Sequence, residues 1–365
     1  MSRFFFKISK LSILFVILAH YSHGQVKNID IDSRINDELL LTDIAEHVTP
    51  IIFEMHPDYT FGGIDELEWA DPYCFLRVTT WQGPRCISNY ILQYTISGKF
   101  VRAIGSKEGI KITPLRGIRC DTLNQLLYLK SNSNDNALIV YNFDGIFIKK
   151  IDSFAGCHSF FIHKNYVWAQ YINLSNDKNS VEYTFSKFDP QNMTEQKVYQ
   201  FNEKEGVIDN KVAIGCNATY STFRDDLYVS FAVDDLIHQI QNNKLIPAFK
   251  INITPKTSDL EDRLEGNFRG FVGSYIFVNY KINRSPKFFI YNTNSKKGYN
   301  FSVDNKFKNL GIRDNINGTG YITKLSKLNR PQYFYYLKSA GDMKEMPKNA
   351  SSPNHPVVFM AKIKE

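Results

Sequence analysis

Three segments of this chain carry the same local pattern at a constant interval. Tyr94, Tyr141 and Phe188 occupy equivalent places in segments 92–102, 139–149 and 186–195, and each lies 47 residues after the one before. A period in this range is typical of β-propeller blades, in which each repeat is one small sheet packed on its neighbours. The repeat therefore predicts an all-β chain built from successive blades.

The strand pattern continues beyond these three segments. Apolar and aromatic runs of four to eight residues alternate with turns rich in Gly, Asn, Asp and Ser. His238 and Tyr291 occupy the equivalent position in the next two units, at wider steps of 50 and 53 residues. An irregular last unit begins near residue 310. Five clear units and this sixth one predict a six-bladed β-propeller of four-stranded antiparallel blades.

The ends of the chain carry further strand signals. We expect segment 50–55 or segment 357–363 to complete a blade begun at the other end of the chain, because such closure removes free sheet edges. The polar lead 26–37 is expected to be exposed and loosely ordered, and segment 39–47 to form one or two helical turns.

Residues 1–24 have the layout of a secretory signal peptide. Arg3, Lys7 and Lys10 precede a short apolar run at 11–19, and small residues follow before Gln25. An N-terminal membrane anchor is the alternative, but it needs about 20 apolar residues, and this run has about half as many. No cysteine precedes Cys74, so we expect no lipid anchor. The predicted mature protein is one propeller domain at 25–365.

The charge of the chain does not favour a nucleic-acid partner. Loss of the three basic residues in 1–24 lowers the net charge from +7 to +4, and no run of like charges forms a basic patch. No second apolar stretch is long enough to span a membrane, and we expect a monomer.

Five cysteines allow several interpretations. They are Cys74, Cys86, Cys120, Cys157 and Cys216. Cys74 and Cys86 are the nearest pair and could form a disulfide in an exported chain. We favour five buried thiols, because the number is odd and the spacing follows no disulfide framework. No Cys-x-x-Cys or Cys-x-x-His pair indicates a metal site.

Motifs that carry catalysis are missing from the sequence. It has no Gly-x-Ser-x-Gly elbow, no phosphate-binding loop and no His-Glu-x-x-His. His158 and His163 are an odd number of residues apart, which places them on opposite faces of a strand. We therefore assign no catalytic residue, metal ligand or cofactor.

One polar loop is the best candidate for a binding site. Arg313, Asp314 and Asn317 lie together in segment 313–318 near the predicted ring closure, and loops on a rigid scaffold often carry function. The alternative is an Asn-Gly turn with charges that face solvent.

Four segments resemble a known family. Segments 41–54, 92–105, 226–238 and 353–364 are similar to the strand entry, hairpin, later blades and closing strand of the six-bladed, NHL-like propellers exported by Bacteroidetes. Segments 106–114 and 313–318 depart from that pattern. The resemblance implies export to the periplasm or outer envelope, where the chain would bind an envelope protein or a glycan or peptide ligand.

Two functional hypotheses follow, beside a purely structural envelope role. The first is an exported binding module without catalysis. The alternative is a propeller hydrolase or lyase with a metal held on the ring axis. Inward-facing acidic side chains converging on that axis would favour the enzyme, whereas apolar or basic side chains would count against it.

Overall fold

The structure is a computed structural model, and it describes most of the chain. The described residues are 26–59, 63–82, 85–105, 115–131, 137–154, 156–174, 180–190, 195–204, 219–230, 235–242, 244–254, 267–282, 285–302, 311–316, 320–322 and 325–365. The predicted signal peptide therefore lies outside the described residues, as do Asn317 and Cys216.

The N-terminal segment contributes elements to three different sheets. In chain order they are β1 (Lys27–Asp32), β2 (Leu39–Leu40), the single helical turn α1 (Leu41–Ile44) and β3 (Ala45–Ile52). Asp43 stabilises the start of α1, because its carboxylate accepts the Leu40 backbone N–H at 3.0 Å. The one or two helical turns expected within 39–47 are thus a single turn, and the residues on either side of it belong to strands.

The remaining strands form blades in sequence order. Blade 1 contains β4 (Gly63–Ala70), β5 (Tyr73–Gln82), β6 (Arg85–Thr95) and β7 (Phe100–Ile104). Blade 2 contains β8 (Leu115–Asp121), β9 (Leu126–Ser131), β10 (Leu138–Asn142) and β11 (Phe147–Ile151). Blade 3 contains β12 (Cys157–His163), β13 (Tyr166–Leu174), β14 (Ser180–Phe188) and β15 (Glu195–Lys204). Blade 4 contains β16 (Thr219–Phe223), β17 (Asp226–Ser230), β18 (Leu236–Gln241) and β19 (Lys244–Thr254).

The later blades are less regular. Blade 5 contains β20 (Asn267–Val272), β21 (Tyr275–Ile282), β22 (Ser285–Asn292) and β23 (Gly298–Ser302). Blade 6 contains only β24 (Ile312–Arg313) and β25 (Tyr321–Ile322), with β2 parallel to β24. Blade 7 contains β26 (Ser326–Lys327), β27 (Tyr333–Ser339) and β28 (Pro356–Ile363), with β3 antiparallel to β28. Short 3₁₀ turns occupy Asp152–Phe154 and Ala340–Asp342.

The fold is therefore a β-propeller of small blades, but the predicted number of blades was wrong. The described residues form seven sheets rather than six. The sequence-based prediction treated everything after residue 310 as one unit, whereas residues 312–313 and 321–322 form a separate small sheet with Leu39 and Leu40. Blade 4 also departs from four strands, because β1 pairs in parallel with β19 as a fifth.

The 47-residue repeat marks one structural position. Tyr94, Tyr141 and Phe188 lie in β6, β10 and β14, the third strand of each blade, and all three are buried. His238 and Tyr291 lie in the third strands β18 and β22. An inward-pointing ring at this place packs between blades, which explains why the sequence repeats an aromatic residue there.

The ring is closed by the N-terminal strand. β3 is the outermost strand of blade 7, whose other strands come from the C-terminal end of the chain. The Asn329 side chain then bridges blade 7 to blade 1, since it accepts the Trp69 N–H at 2.7 Å and donates to the Trp69 carbonyl at 2.9 Å. Both termini therefore take part in closure.

The lead that we expected to be loosely ordered is part of the fold. Ile29 and Ile31 of β1 are fully buried against the outer strand of blade 4. Past β1, the Asn300 side-chain amide donates to the carbonyls of Asp32 and Ile35 at 2.9 and 3.0 Å. The segment thus lies along the outer edges of blades 4 and 5.

The cysteines do not pair as their spacing allowed. Cys74 lies opposite Tyr94 in the β5–β6 hairpin, whereas Cys86 lies opposite Trp81. Seven strand positions at about 3.3 Å each separate the two thiol positions, far beyond the Cα distance of a disulfide. Cys74, Cys120 and Cys157 are buried and are not part of a disulfide. No helix in the described part of the chain is long and apolar enough to cross a membrane.

Candidate functional site: the axial cavity

A cavity of about 660 Å³ lies where the inner strands of the blades meet. Its wall comes from β4, β8, β12, β16, β20 and β26, and β26 of blade 7 follows β20 of blade 5 around the axis. Blade 6 contributes no residue to this wall. The volume is within the range of pockets that bind small ligands, so we call this space the axial cavity.

Two carboxylates of β4 hold blade 1 to blade 2 at the cavity wall. Glu66 accepts the backbone N–H of Ile118 at 3.0 Å, and Glu68 accepts that of Cys120 at 3.1 Å. An innermost strand has no partner on its axial edge, so its neighbour's side chains satisfy its N–H groups. These acidic side chains therefore have a structural role besides their charge.

Arg119 compensates both carboxylates. Its guanidinium lies 3.1 Å from Glu66 and 3.5 Å from Glu68. It also donates to the Tyr220 hydroxyl at 3.2 Å, and that hydroxyl donates to the Phe160 carbonyl. One network thus joins blades 1 to 4, and its cation is fully engaged by protein groups.

Burial shifts the protonation of two groups in the cavity. It raises the pKa of the Glu68 carboxyl to about 7, because lost hydration outweighs the opposing Arg119 charge and the Cys120 N–H. It lowers the pKa of the Lys327 ammonium to about 8, and the nearby Arg119 charge adds to that effect while Glu68 opposes it. Shifted groups in a cleft are common at functional sites.

Lys327 is a cation of the wall without a hydrogen-bond or ion-pair partner in the described structure, whereas Arg224 and Arg330 each lie over an aromatic ring. Among the residues that the structure describes, no acceptor lies within hydrogen-bond or ion-pair distance of its ammonium. Its side chain passes over Gly270 of β20, where a Cβ would lie 3.5 Å from the Lys327 Cδ. The ammonium therefore faces the cavity without a counter-ion.

Two buried hydroxyls also line the cavity. Ser221 is 1% exposed and Ser274 is 5% exposed, and the Oγ atoms of both have no hydrogen-bond partner within the described structure. A Cβ on Gly270 would lie 2.8 Å from the Ser221 Cβ, so Ser221 and Lys327 flank the same glycine. Buried polar groups usually have partners, and unsatisfied ones at a cavity wall are available to a ligand.

Aromatic rings supply the apolar part of the wall. Phe161 and Tyr220 are stacked with ring centroids 3.7 Å apart, and Phe223 and Phe271 are stacked at 4.8 Å. All four residues line the cavity. The axial cavity thus combines an unpartnered cation, free hydroxyls and aromatic surface.

The described residues of the loop at 313–318, which the sequence favoured as a binding site, are not part of the axial cavity. The Asp314 carboxylate is buried and forms an ion pair of 2.8 Å with Lys338, and it also accepts from the Tyr336 hydroxyl. Arg313 is more than half exposed and lies 3.4 Å from Glu38. Asn317 is outside the described residues. The structure does not bring Arg313 and Asp314 into the axial cavity, and their proposed binding role stays a prediction.

The residues around the axis match neither of the arrangements considered from the sequence, which were converging acidic side chains and a purely apolar or basic lining. The acidic side chains on the inner strands, Glu66 and Glu68, both come from β4 and both lie beside Arg119, whereas Asp225 lies in the β16–β17 turn and Glu365 follows β28. Within the described residues, no group of three or more His, Cys, Asp or Glu side chains could hold a metal ion. His163 at the end of β12 is half-buried, and burial lowers its pKa to about 4.

Sequence reasoning did not find the cavity residues. Glu66, Arg119, Tyr220 and Lys327 each come from a different blade and are of different types. A residue type repeated on the inner strands of several blades would have marked the cavity in the sequence, and the described part of the wall has no such repeat. The alternation of charged and apolar residues in Gly63–Ala70 was the one local hint.

Comparison with known proteins supports the fold. A crystal structure from Bacteroides fragilis, of a protein described as a candidate exported protein, matches with a TM-score of 0.63 at 10% identity and covers 93% of this chain and 100% of that one. A protein of unknown function from Bacteroides thetaiotaomicron covers 86% of this chain and 75% of its own, at 10% identity and a TM-score of 0.43. The match to the β-propeller domain of the Trilobed protease from Pyrococcus furiosus covers 84% of this chain and 95% of that one, at 11% identity and a TM-score of 0.44.

No protein-family model and no curated protein matches the sequence. At 10% identity the Bacteroides fragilis structure shows a shared fold alone. The class defined by fold and site is thus a β-propeller with a charged axial cavity, and the resemblance stated from the sequence reaches as far as the fold shared with the Bacteroides fragilis protein.

Proposed function

We propose that this chain is an exported binding protein whose ligand occupies the axial cavity. The observation that carries the proposal is the Lys327 ammonium, which faces a cavity of about 660 Å³ without a partner among the described residues. A half-buried ammonium without an ion-pair partner is costly. A site that keeps such a group is better suited to binding than to structural support.

The other features of the wall agree with binding. The Arg119 network is complete, so it holds the cavity in shape without needing a ligand. The stacked rings of Phe223 and Phe271 offer apolar surface, and convergent polar groups in an apolar pocket fix a ligand's orientation. The ligand classes consistent with this wall include small molecules and the end of a glycan or peptide.

Export is the second half of the proposal. It is supported by the signal-like segment 1–24 and by the shared fold of the Bacteroides fragilis protein. The hydrolase or lyase alternative needs carboxylates from several blades around a metal. The wall instead pairs its two inner-strand carboxylates, both from β4, with arginines, and its other acidic residues lie in a turn (Asp225) and after β28 (Glu365). This arrangement favours binding over that alternative.

A thermal-shift screen of sugars, peptides and small organic acids tests the proposal. A ligand of the axial cavity should raise the melting temperature of the native protein but not that of Thr222→Trp, which fills the cavity from β16. Asn349→Trp is the matched control, because Asn349 is exposed and lies outside the cavity wall.

Folding of both variants is checked by circular dichroism before the screen. Ligands that stabilise native protein and Thr222→Trp equally would contradict the proposal. A screen in which no compound stabilises the native protein would contradict it as well.

A further inference from the structure

We propose that the ligand of the axial cavity is an organic monocarboxylate with an aromatic or apolar group, and that Lys327 binds its carboxylate. This inference rests on the proposed function, since it names the chemistry of the ligand at that site. It combines three observations about the cavity: one unpartnered ammonium, buried hydroxyl donors beside it, and aromatic walls.

The first step is the contrast between Lys327 and other buried lysines. Lys338 pairs with Asp314 at 2.8 Å. Lys287 donates to the Ser33 carbonyl and to the Asn36 side chain, both at 2.9 Å. The fold therefore satisfies lysines where it buries them for structure, whereas Lys327 has no such acceptor among the described residues.

The second step is the group that the ammonium can bind. The cavity already holds the Glu66 and Glu68 carboxyls, and Arg119 is committed to them. A single carboxylate would neutralise Lys327 alone. A phosphate, with a charge of about −1.5 to −2, would bring a second negative charge toward Glu66. Charge balance therefore favours a monocarboxylate.

The third step concerns the donors around that carboxylate. A carboxylate oxygen accepts several hydrogen bonds, and Ser221 offers a buried Oγ without a partner in the described structure. Gly270 lies between Ser221 and Lys327, and its φ of +112° is one that other residues rarely adopt. The missing side chain allows Ser221 and Lys327 to pack against the same backbone position.

The fourth step is the rest of the ligand. The Phe161–Tyr220 and Phe223–Phe271 stacks line the same cavity. They would pack on an aromatic or aliphatic group, since burial of such a group supplies most of the affinity of small ligands. The carboxylate then provides orientation and selectivity.

The test compares an acid with its amide. Isothermal titration would use 3-phenylpropanoate and 3-phenylpropanamide, which share one body and differ in charge. We expect the acid to bind native protein at least tenfold more tightly than the amide. Lys327→Met should abolish that preference, and Lys297→Met should keep it because Lys297 is exposed on the β22–β23 hairpin.

One further variant and a folding control make the result decisive. Ser221→Ala should weaken the acid several-fold and leave the amide unchanged. Lys327→Met should fold, since it removes an unpaired charge and keeps the length of the side chain, and circular dichroism would verify this.

The inference is overturned by equal binding of acid and amide, by a preference that survives Lys327→Met, or by no binding of either probe at millimolar concentration. If other compounds bind and Thr222→Trp blocks them, the proposed function stands while the carboxylate inference fails.

Discussion

The Arg119 guanidinium of blade 2 donates a hydrogen bond of 3.2 Å to the Tyr220 hydroxyl of blade 4, so the two side chains meet across the inner end of blade 3. The same guanidinium neutralises Glu66 and Glu68 of blade 1. This network holds four blades around the cavity and leaves Lys327 as the group available to a ligand.

Removal of the Arg119 charge should destabilise the fold. Arg119→Met leaves Glu66 with Arg77 alone and Glu68 without an ion-pair partner among the described residues, and breaking a buried ion pair in this way costs roughly 3–5 kcal/mol. Because the guanidinium keeps a quarter of its exposure, we expect the lower end of that range. Urea unfolding would measure the change.

The matched control for that variant is Arg34→Met. Arg34 forms an exposed pair with Asp32 at 2.7 Å, and exposed pairs contribute about 0–1 kcal/mol. Equal losses in the two variants would show that the network does not hold the blades together.

Stability should depend on pH through Glu68 and Lys327. The folded-state pKa of Glu68 is raised to about 7, so the stability that it contributes is fully present below about 4.5 and is lost as pH rises to 7. The folded-state pKa of Lys327 is lowered to about 8, so the stability that it contributes is present above about 10.5 and is lost as pH falls through 8.

Variants separate these two effects. Glu68→Gln should flatten the stability profile between pH 4.5 and 7, and Lys327→Met should flatten it between 8 and 10.5. Denaturant titrations across both windows provide the measurement. A profile in native protein that rises with pH between 4.5 and 7, and is unchanged in Glu68→Gln, would contradict the assignment to Glu68.

Ring closure should depend on the Asn329 amide. Asn329→Ala removes both hydrogen bonds to the Trp69 backbone, at about 1–3 kcal/mol for a buried group left unpaired. Asn329→Asp should cost at least as much, because a carboxylate cannot donate to the Trp69 carbonyl. Thermal unfolding measures both variants, and a more stable Asn329→Asp would contradict this role.

The two described residues of the loop at 313–318 should behave oppositely. Asp314→Ala removes the buried ion pair with Lys338, which costs roughly 3–5 kcal/mol, whereas Arg313→Ala removes only an exposed pair and should cost less than about 1 kcal/mol. Chemical denaturation compares them. A stable Asp314→Ala protein would show that the carboxylate is not a structural group.

The sequence predicted the propeller because its third strands share one packing requirement. Tyr94 and Tyr141 fill equivalent places between blades. The same kind of aromatic side chain therefore recurs in the sequence at a constant interval. The rudimentary blade 6 was missed, because strands of two residues such as Ile312–Arg313 carry no alternation to detect. The alternation of Ile29 and Ile31 was visible, but the polar residues between them suggested an exposed lead.

The cavity could not be predicted in the same way. Arg119 and Lys327 are far apart in sequence and meet only because β8 and β26 both face the axis. Asp314 illustrates the opposite error, since a charged residue beside a turn suggested exposure while its carboxylate is fully buried. Side-chain direction at inner strands depends on closure of the ring, which no local pattern encodes.

The most direct test of the account is a crystal structure of the protein with the tightest ligand from the thermal-shift screen. We predict ligand density in the axial cavity, with a carboxylate oxygen within about 3.2 Å of the Lys327 Nζ, the reach of a charge-assisted hydrogen bond. Density on the outer surface, beside Arg313 or along a blade edge, with the axial cavity empty, would contradict it.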